Sequence, residues 1–256
     1  MNSLLFKKNE FKKLCSLIGF RPNIVREVIS NIDNYYYEKV ENKKDKKSGE
    51  VKKYKDGTIK KRIMHPSVGA LKAILKSITK NILDPIPLPR EIHGGVKKRS
   101  TITNAKPHKG NKYIITTDLQ DFYPTISNES VYDTFLSLGF SNHLSHSLTK
   151  LTTWKYALPQ GTPTSTHISN LVFLKVDYEL IQLCNDNNIT YTRYVDDLTF
   201  SSPTDFKHLL NEILEIIIKH DFKVNYRKTK YKGNKTVTGI DVFLNKIDAP
   251  EHIKEN

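Results

Sequence analysis

Two adjacent carboxylates, Asp196 and Asp197, follow Tyr194 and Val195 in a run from residue 191 to 201 that alternates apolar and polar side chains. Aspartate is disfavoured in strands, and neighbouring anions repel unless a cation compensates them. Carboxylates in place of His or Cys favour a hard, oxygen-seeking ion such as Mg²⁺. Read as strands 191–195 and 198–201, the run becomes a tight hairpin with both acids at its tip. An ordinary Asp-Asp surface turn is the alternative, but the flanking Tyr191, Tyr194, Val195, Leu198 and Phe200 are too apolar for one. A second β-prone run, 113–117, ends in Asp118, which sets a third acid at the carboxyl end of another strand. Three acids on neighbouring strands can hold two metal ions, an arrangement suited to chemistry on phosphate.

The chain around these acids is strongly basic. Its 256 residues carry a formal net charge of +14, with 38% hydrophobic and 27% charged side chains. This length fits one large domain or one domain with lobes. The positive field attracts polyanions, nucleic acid first among them. Apolar runs fall far short of the ~20 residues a membrane span needs, and residues 1–20 mix Lys and Glu among apolar positions, so neither a span nor an export signal is expected. Cys15 and Cys184 are the only cysteines, too few for a disulfide framework or a Cys-ligated zinc site, and a reducing cytosol is the expected compartment.

Residues 1–42 read as helices separated by Pro22, the first with Leu4, Leu5, Phe11, Leu14 and Leu17 at helical spacing. Residues 41–62 hold ten basic and four acidic side chains, with Gly49 and Asp56-Gly57 as turn signals. That pattern predicts a basic hairpin, either a solvated loop or a finger that grips phosphate. An amphipathic helix follows over 66–83, with Leu71, Ile74, Leu75 and Ile78 on one side, and the prolines of 84–90 break it. Residues 94–110 read as a basic loop. Ser127 is the expected N-cap of a helix closed by Gly139, and Ser141 begins another that ends near Trp154. The turn 158–165, built from small and hydroxyl side chains, opens a long helix through Cys184. Gly161 allows close backbone approach there, and the helix start offers N–H groups to phosphate. Thr204 is expected to cap a helix ending near His220. This order of elements predicts an α+β layer structure.

With Asp118 inside Thr117-Asp118-Leu119-Gln120-Asp121-Phe122-Tyr123-Pro124, then Leu158-Pro159-Gln160-Gly161, then Tyr194-Val195-Asp196-Asp197, the chain resembles a reverse transcriptase. Asn104-Ala105-Lys106-Pro107-His108 and Val237-Thr238-Gly239 are similar to the N-A-x-x-H and V-T-G signatures of bacterial retron reverse transcriptases. The resemblance covers roughly residues 60–255. It implies a polymerase right hand of α+β class: an N-terminal helical segment over 1–42, fingers with the basic loop over 43–112, a catalytic palm over 113–232, and the start of a thumb over 233–256. It makes Asp118, Asp196 and Asp197 the catalytic ligands of two Mg²⁺ ions, in a reaction that is mostly positioning and charge neutralisation. Tyr123 matches the bulky residue beneath the incoming sugar, which excludes a 2′-hydroxyl. Gln160 and Gly161 match the turn lining the nucleotide pocket. Arg62 is the foremost basic candidate for the triphosphate or template, ahead of Lys72 and Arg99. Lys228 matches a lysine that protonates pyrophosphate, with a solvated strand lysine as the alternative. Asn104, His108, Val237, Thr238 and Gly239 are the RNA-binding candidates, with a loop-holding polar network the preferred reading over direct RNA contact for Asn104 and His108.

Two departures stand out against that family. Its turn usually reads Gln-Gly-Ala-Pro-Thr-Ser-Pro, whereas here Thr162 and Thr166 replace the alanine and the final proline. Only residues 240–256 follow the V-T-G signature, so a thumb is expected to be short or largely absent. The resemblance implies a structured noncoding RNA as template and primer, dNTP substrates, synthesis from a guanosine 2′-hydroxyl, an RNA–DNA product, and cytoplasmic anti-phage defence with an effector protein. Template-independent synthesis by a related defence enzyme, and a non-catalytic RNA-binding scaffold, are the rival readings.

Overall fold

A computed structural model of the chain describes residues 2–45, 48–231 and 236–248, with side chains from residue 9 onward. It divides into two units, Met1–Pro85 with Ile126–Ser165 and Ile86–Thr125 with Thr166–Asn256. In the first unit, helices Asn2–Leu17 and Pro22–Ser30 are punctuated by Pro22, which begins the second helix, where its missing N–H costs nothing. Phe11, Leu14, Val25 and Val28 are buried, whereas Leu17 is 51% exposed and faces away from that core. The expected contributions of Leu4 and Leu5 lie outside the described side chains. The basic run does form a hairpin. Strand β1 (Lys39–Asn42) pairs antiparallel with β2 (Lys61–Met64), and bridges Lys44↔Val51 and Lys53↔Ile59 extend the ladder; Lys46 and Lys47 lie outside the described residues.

Leu71, Ile74, Leu75 and Ile78 are fully buried along helix Gly69–Ile78, which widens into a π-type turn over Thr79–Leu83. Helices Asn128–Ser137 and Asn142–Thr152 begin as the hydroxyl caps predict. Ser127 Oγ accepts the Ser130 N–H at 3.1 Å, and Ser141 Oγ accepts the Leu144 N–H at 3.4 Å.

The second unit is organised by β3 (Tyr113–Gln120), whose side chains are buried along most of its length. β4 (Thr190–Tyr194) and β5 (Asp197–Ser202) form an antiparallel hairpin, and β5 also pairs antiparallel with β3. On its other side β3 pairs with β6 (Lys223–Val224) and β7 (Lys230–Tyr231). Helices Leu174–Asp186 and Leu210–Ile218 pack against this sheet and each other. The helix expected to run unbroken to Cys184 is interrupted at Phe173, whose ψ is −7°. The Phe173 ring is fixed by packing, 5.8 Å from Phe122 and 4.7 Å from Phe222 between centroids. Thr204 does not cap the later helix: its N–H donates to Ser202 Oγ, and Asp205 instead accepts the Lys207 N–H at 2.9 Å before a 3₁₀ turn leads into Leu210–Ile218.

The segment expected to begin a thumb is strand where described. β8 (Thr236–Val237), β9 (Ile240–Val242) and β10 (Ile247–Asp248) form a meander whose Val237 and Val242 bury against Ala105. Residues 233–235 and 249–256 of that expected segment lie outside the described residues. Helices beside antiparallel sheets make the class α+β, as the order of elements predicts. Among the described residues, no helix is long and apolar enough to cross a membrane.

Candidate active site

Strands β4 and β5 are closed by the pair Tyr194↔Asp197, which leaves Val195 and Asp196 as a two-residue turn. The same register continues onto β3, where Asp118 lies directly opposite Asp197. The Leu119 N–H donates to the Asp196 carbonyl at 2.9 Å, tying the turn to β3. The three acids therefore sit on adjacent positions of two neighbouring strands and the turn between β4 and β5. Strand β3 does not end at Asp118, because Leu119 and Gln120 continue it by pairing with Val224 and Lys223. The extra pairing leaves Asp118 only 7% exposed.

Asp118 has protein partners of its own. Lys228 Nζ donates to its Oδ2 at 2.7 Å and Asn225 Nδ2 to its Oδ1 at 3.2 Å. Lys228 lies in the turn between β6 and β7, where its N–H donates to the Asn225 carbonyl, rather than within a strand. Among the described residues, no group of three or more His, Cys, Asp or Glu is gathered so as to hold a metal ion. What fits a hard cation is the donor chemistry: the cross-strand pair Asp118 and Asp197 is oxygen-only, and like charges directly opposite are unfavourable without compensation. At Asp118 that compensation comes here from the Lys228 ammonium.

Tyr123 projects from the short helix Phe122–Thr125, and its hydroxyl shares a 3.1 Å hydrogen bond with Thr166 Oγ1. Burial pushes the phenol pKa up, and the Asp196 charge adds to that rise. Arg62, Gln160 and Gly161 belong to the other unit. There the Gln160 carbonyl accepts the His65 N–H at 2.8 Å. Gly161, at φ +104°, packs beside Met64 and Pro66. The turn thus rests on the end of β2, two residues beyond the exposed Arg62. Lys72 lies on the exposed side of its helix. Arg99 is withdrawn as a ligand: its guanidinium donates to the Leu88 carbonyl at 3.1 Å and to those of Pro89 and Ile92.

Residues 46–240 match the reverse transcriptase (RNA-dependent DNA polymerase) family. The chain belongs to this family. Curated relatives that it matches include retron reverse transcriptases. The retron Ec86 reverse transcriptase of Escherichia coli is 34% identical over 182 residues, covering 69% of this chain and 57% of that protein. The retron Se72 reverse transcriptase of Salmonella heidelberg is 29% identical over 256 residues, covering 95% and 63%. The retron Ec73 reverse transcriptase of Escherichia coli is 32% identical over 220 residues, covering 77% and 68%. The chain is therefore a retron-type reverse transcriptase by family, and it spans about three fifths of the first two relatives. A solved telomerase from Candida albicans, in complex with a telomeric RNA fragment, superposes with a TM-score of 0.50 at 13% identity, covering 71% of this chain and 38% of that one. That likeness supports the right-hand α+β fold.

In this chain the N-A-x-x-H and V-T-G signatures meet inside the protein. Thr238 and Gly239, both at positive φ, form the two-residue turn joining β8 to β9. Asn104 Nδ2 donates to Thr238 Oγ1 at 2.7 Å. His108 spans β4 and β5, with Nε2 2.7 Å from Thr192 Oγ1 and Nδ1 2.6 Å from Ser201 Oγ. Asn104, His108 and Val237 are fully buried, so at Asn104 and His108 the preferred polar-network reading agrees with the internal bonds, while RNA contact is corrected at Val237 to packing. Thr238 and Gly239 keep partial exposure.

A buried charge network beneath the acid turn was not read from the sequence. Arg193 and Asp177, both without exposed side-chain surface, form a two-bond ion pair: Nε to Oδ1 at 2.8 Å and Nη2 to Oδ2 at 2.6 Å. Tyr191 donates its hydroxyl to Asp177 Oδ1 at 2.8 Å. Burial pushes the Asp177 carboxyl up against the opposing pull of Arg193; burial also works against the Arg193 charge, which Asp177 more than restores. The available signal was an arginine within an otherwise strand-like apolar run, with an aspartate inside the preceding helix.

Proposed function

We propose that this retron-type chain is an RNA-directed DNA polymerase that copies part of a structured noncoding RNA into DNA. The RNA serves as template and primer, dNTPs as substrates, and an RNA–DNA molecule is the product, in anti-phage defence with an effector protein. The observation that carries the proposal is the register setting Asp118 opposite Asp197 beside the Asp196 turn. Asp118, Asp196 and Asp197 would hold divalent ions, Mg²⁺ by donor chemistry, and these when bound supply charge neutralisation on phosphate and an activated primer hydroxyl.

The protein's own groups do the positioning. The Tyr123 ring, tethered through Thr166, closes the space beneath the sugar and disfavours a 2′-hydroxyl. By the family resemblance, Gln160 and Gly161 are assigned to the nucleotide and Arg62 to its phosphates. Lys228 Nζ, released from Asp118, gives a proton to a leaving pyrophosphate oxygen. The Thr238-Gly239 turn and the basic hairpin are the RNA-facing parts.

The test is to purify the chain and its Asp196→Asn variant from the native host with bound nucleic acid, and to sequence the material after parallel RNase and DNase treatment. DNA joined to a structured RNA, present only with the native protein, is the expected result. The same RNA in both proteins without DNA favours the non-catalytic scaffold, a second reading supported by the engagement of Asp118 with Lys228. Homopolymer DNA insensitive to RNA sequence identifies template-independent synthesis.

A further inference from the structure

We infer that Arg193, held by Asp177 and Asn170, is a positioning residue for the carboxylate turn, fixing Val195 in a left-handed conformation and through it setting Asp196 and Asp197. Val195 has φ +60°, which is costly for a β-branched side chain and is found where surrounding structure enforces it. The first position of a two-residue hairpin turn with positive φ is usually glycine. Here the sequence supplies valine, so something outside the turn must hold it.

Two contacts do so. Arg193 Nη1 donates to the Val195 carbonyl at 2.9 Å and to Asn170 Oδ1 at 2.9 Å. Asn170 Nδ2 in turn donates to the Gly94 carbonyl at 2.8 Å. Gly94 lies so close to the turn that a Cβ there would fall 2.5 Å from the Val195 nitrogen. The strap carrying Gly94 is itself fastened to β4: the Arg193 N–H donates to the Glu91 carbonyl and the His93 N–H to the Arg193 carbonyl, both at 2.8 Å. The guanidinium also lies over the Phe173 ring at 4.8 Å.

The chemistry separates this role from plain core stability. A buried ion pair can often be replaced by apolar side chains without loss of stability. The fork of a guanidinium alone supplies two bonds to a carboxylate and a further donor to a second acceptor. That further donor is spent on the residue preceding Asp196. Arg193 touches no reacting group and acts through the turn.

The activity arm of the test rests on the polymerase reading, and the exchange arm does not. Arg193→Lys keeps a cation beside Asp177 but has no fork to reach Val195 as well. In the full chain, the Leu119 amide, which donates to the Asp196 carbonyl, should exchange about tenfold faster. The Ile115 amide and the melting transition should stay near the native values. DNA synthesis should need several-fold more Mg²⁺ for half-maximal rate. Adding Val195→Gly, which reaches positive φ without a clamp, should return both readouts toward native. Unchanged Leu119 exchange, a rise shared equally by Ile115, or no recovery with Val195→Gly overturns the inference. Should Arg193→Lys fail to fold, Asn170→Ala leaves the ion pair intact and is read in the same way: a local rise at Leu119 supports the role, and none overturns it. A native protein that makes no DNA yet shows this exchange pattern refutes the polymerase reading and leaves the positioning role standing.

Discussion

His108 carries its imidazole to a place without solvent, and burial, with His93 adding, pushes its pKa down from 6.5 to about 3. The folded value lies below the unfolded one, so on acidification the unfolded chain binds the proton first. His108 therefore contributes stability that is fully present above about pH 6.5 and is lost as pH falls toward 3. Between pH 7 and pH 5 the loss is about 2 kcal/mol, to be measured as the shift in urea midpoint; in His108→Gln that part of the pH dependence should vanish, and an unaltered slope would contradict the assignment. Tyr123 offers a second residue-scale test. Because only its hydroxyl meets Thr166, Tyr123→Phe should keep discrimination against ribonucleotides, while Tyr123→Ala should relax it at least tenfold in the ratio of kcat/KM for dNTP and rNTP. The acids were legible because their chemistry is local: two adjacent carboxylates in an apolar run demand a cation wherever they fold. Arg193 was not, because its partner Asp177 lies on another element and only the packed structure makes the pair. Lys228 was read at the right position in the wrong setting, since spacing alone does not reveal a turn that brings an ammonium back to Asp118.

At the scale of elements, the β4–β5 hairpin was readable from alternation, and its tip from the acids. The strap against it was not, since residues 91–94 have no strand-like pattern and are ordered by bonds to β4. Gly94 has no positive φ, so its requirement for glycine is steric: an added Cβ meets the Val195 nitrogen and Cγ2 at 2.5 Å and the Tyr194 carbonyl carbon at 3.0 Å. Gly94→Ala should destabilise the protein by about 1–3 kcal/mol, as over-packing does, and lower nucleotide incorporation at least tenfold. Gly139→Ala is the matched comparison. Gly139 closes a helix at φ +88° with open space around it, so its substitution should cost about 1 kcal/mol with incorporation unchanged. Melting curves and steady-state incorporation on both variants check this, and equal activity losses would deny Gly94 its special place. The helix interruption at Phe173 escaped prediction because local propensity favours continuing a helix and an aromatic cluster overrides it; the 3₁₀ start at Lys207 escaped it because the Lys207 N–H turns to the Asp205 carboxylate and not to Thr204.

For the molecule as a whole, the order of helices and strands made an α+β class legible, but the division into units was not, because residues 126–165 belong with the amino-terminal unit and no local signal marks that return. Net charge was legible and its use was not. A value of +14 draws polyanions by long-range attraction, whereas specific contact requires lysines that are exposed and uncommitted to acids. In the basic hairpin Lys39 is paired with Glu41 at 2.6 Å and Lys52 with Asp45 at 3.1 Å, while Lys43, Lys53 and Lys55 are exposed. Tyr54 stands exposed among them, an aromatic side chain beside basic ones that suits stacking next to phosphate. Replacing Lys43, Lys53 and Lys55 with Gln should leave the melting temperature unchanged. If each touches phosphate, log K for duplex RNA against log salt should flatten by up to about 3, at roughly 0.9 per neutralised phosphate. Fluorescence anisotropy between about 50 and 200 mM salt spans the range where that term is large. A slope identical to the native protein would make the hairpin a solvated loop and shift RNA gripping to other basic surface, whereas a reduced slope with equal stability would identify a finger whose lysines displace counterions from the RNA backbone.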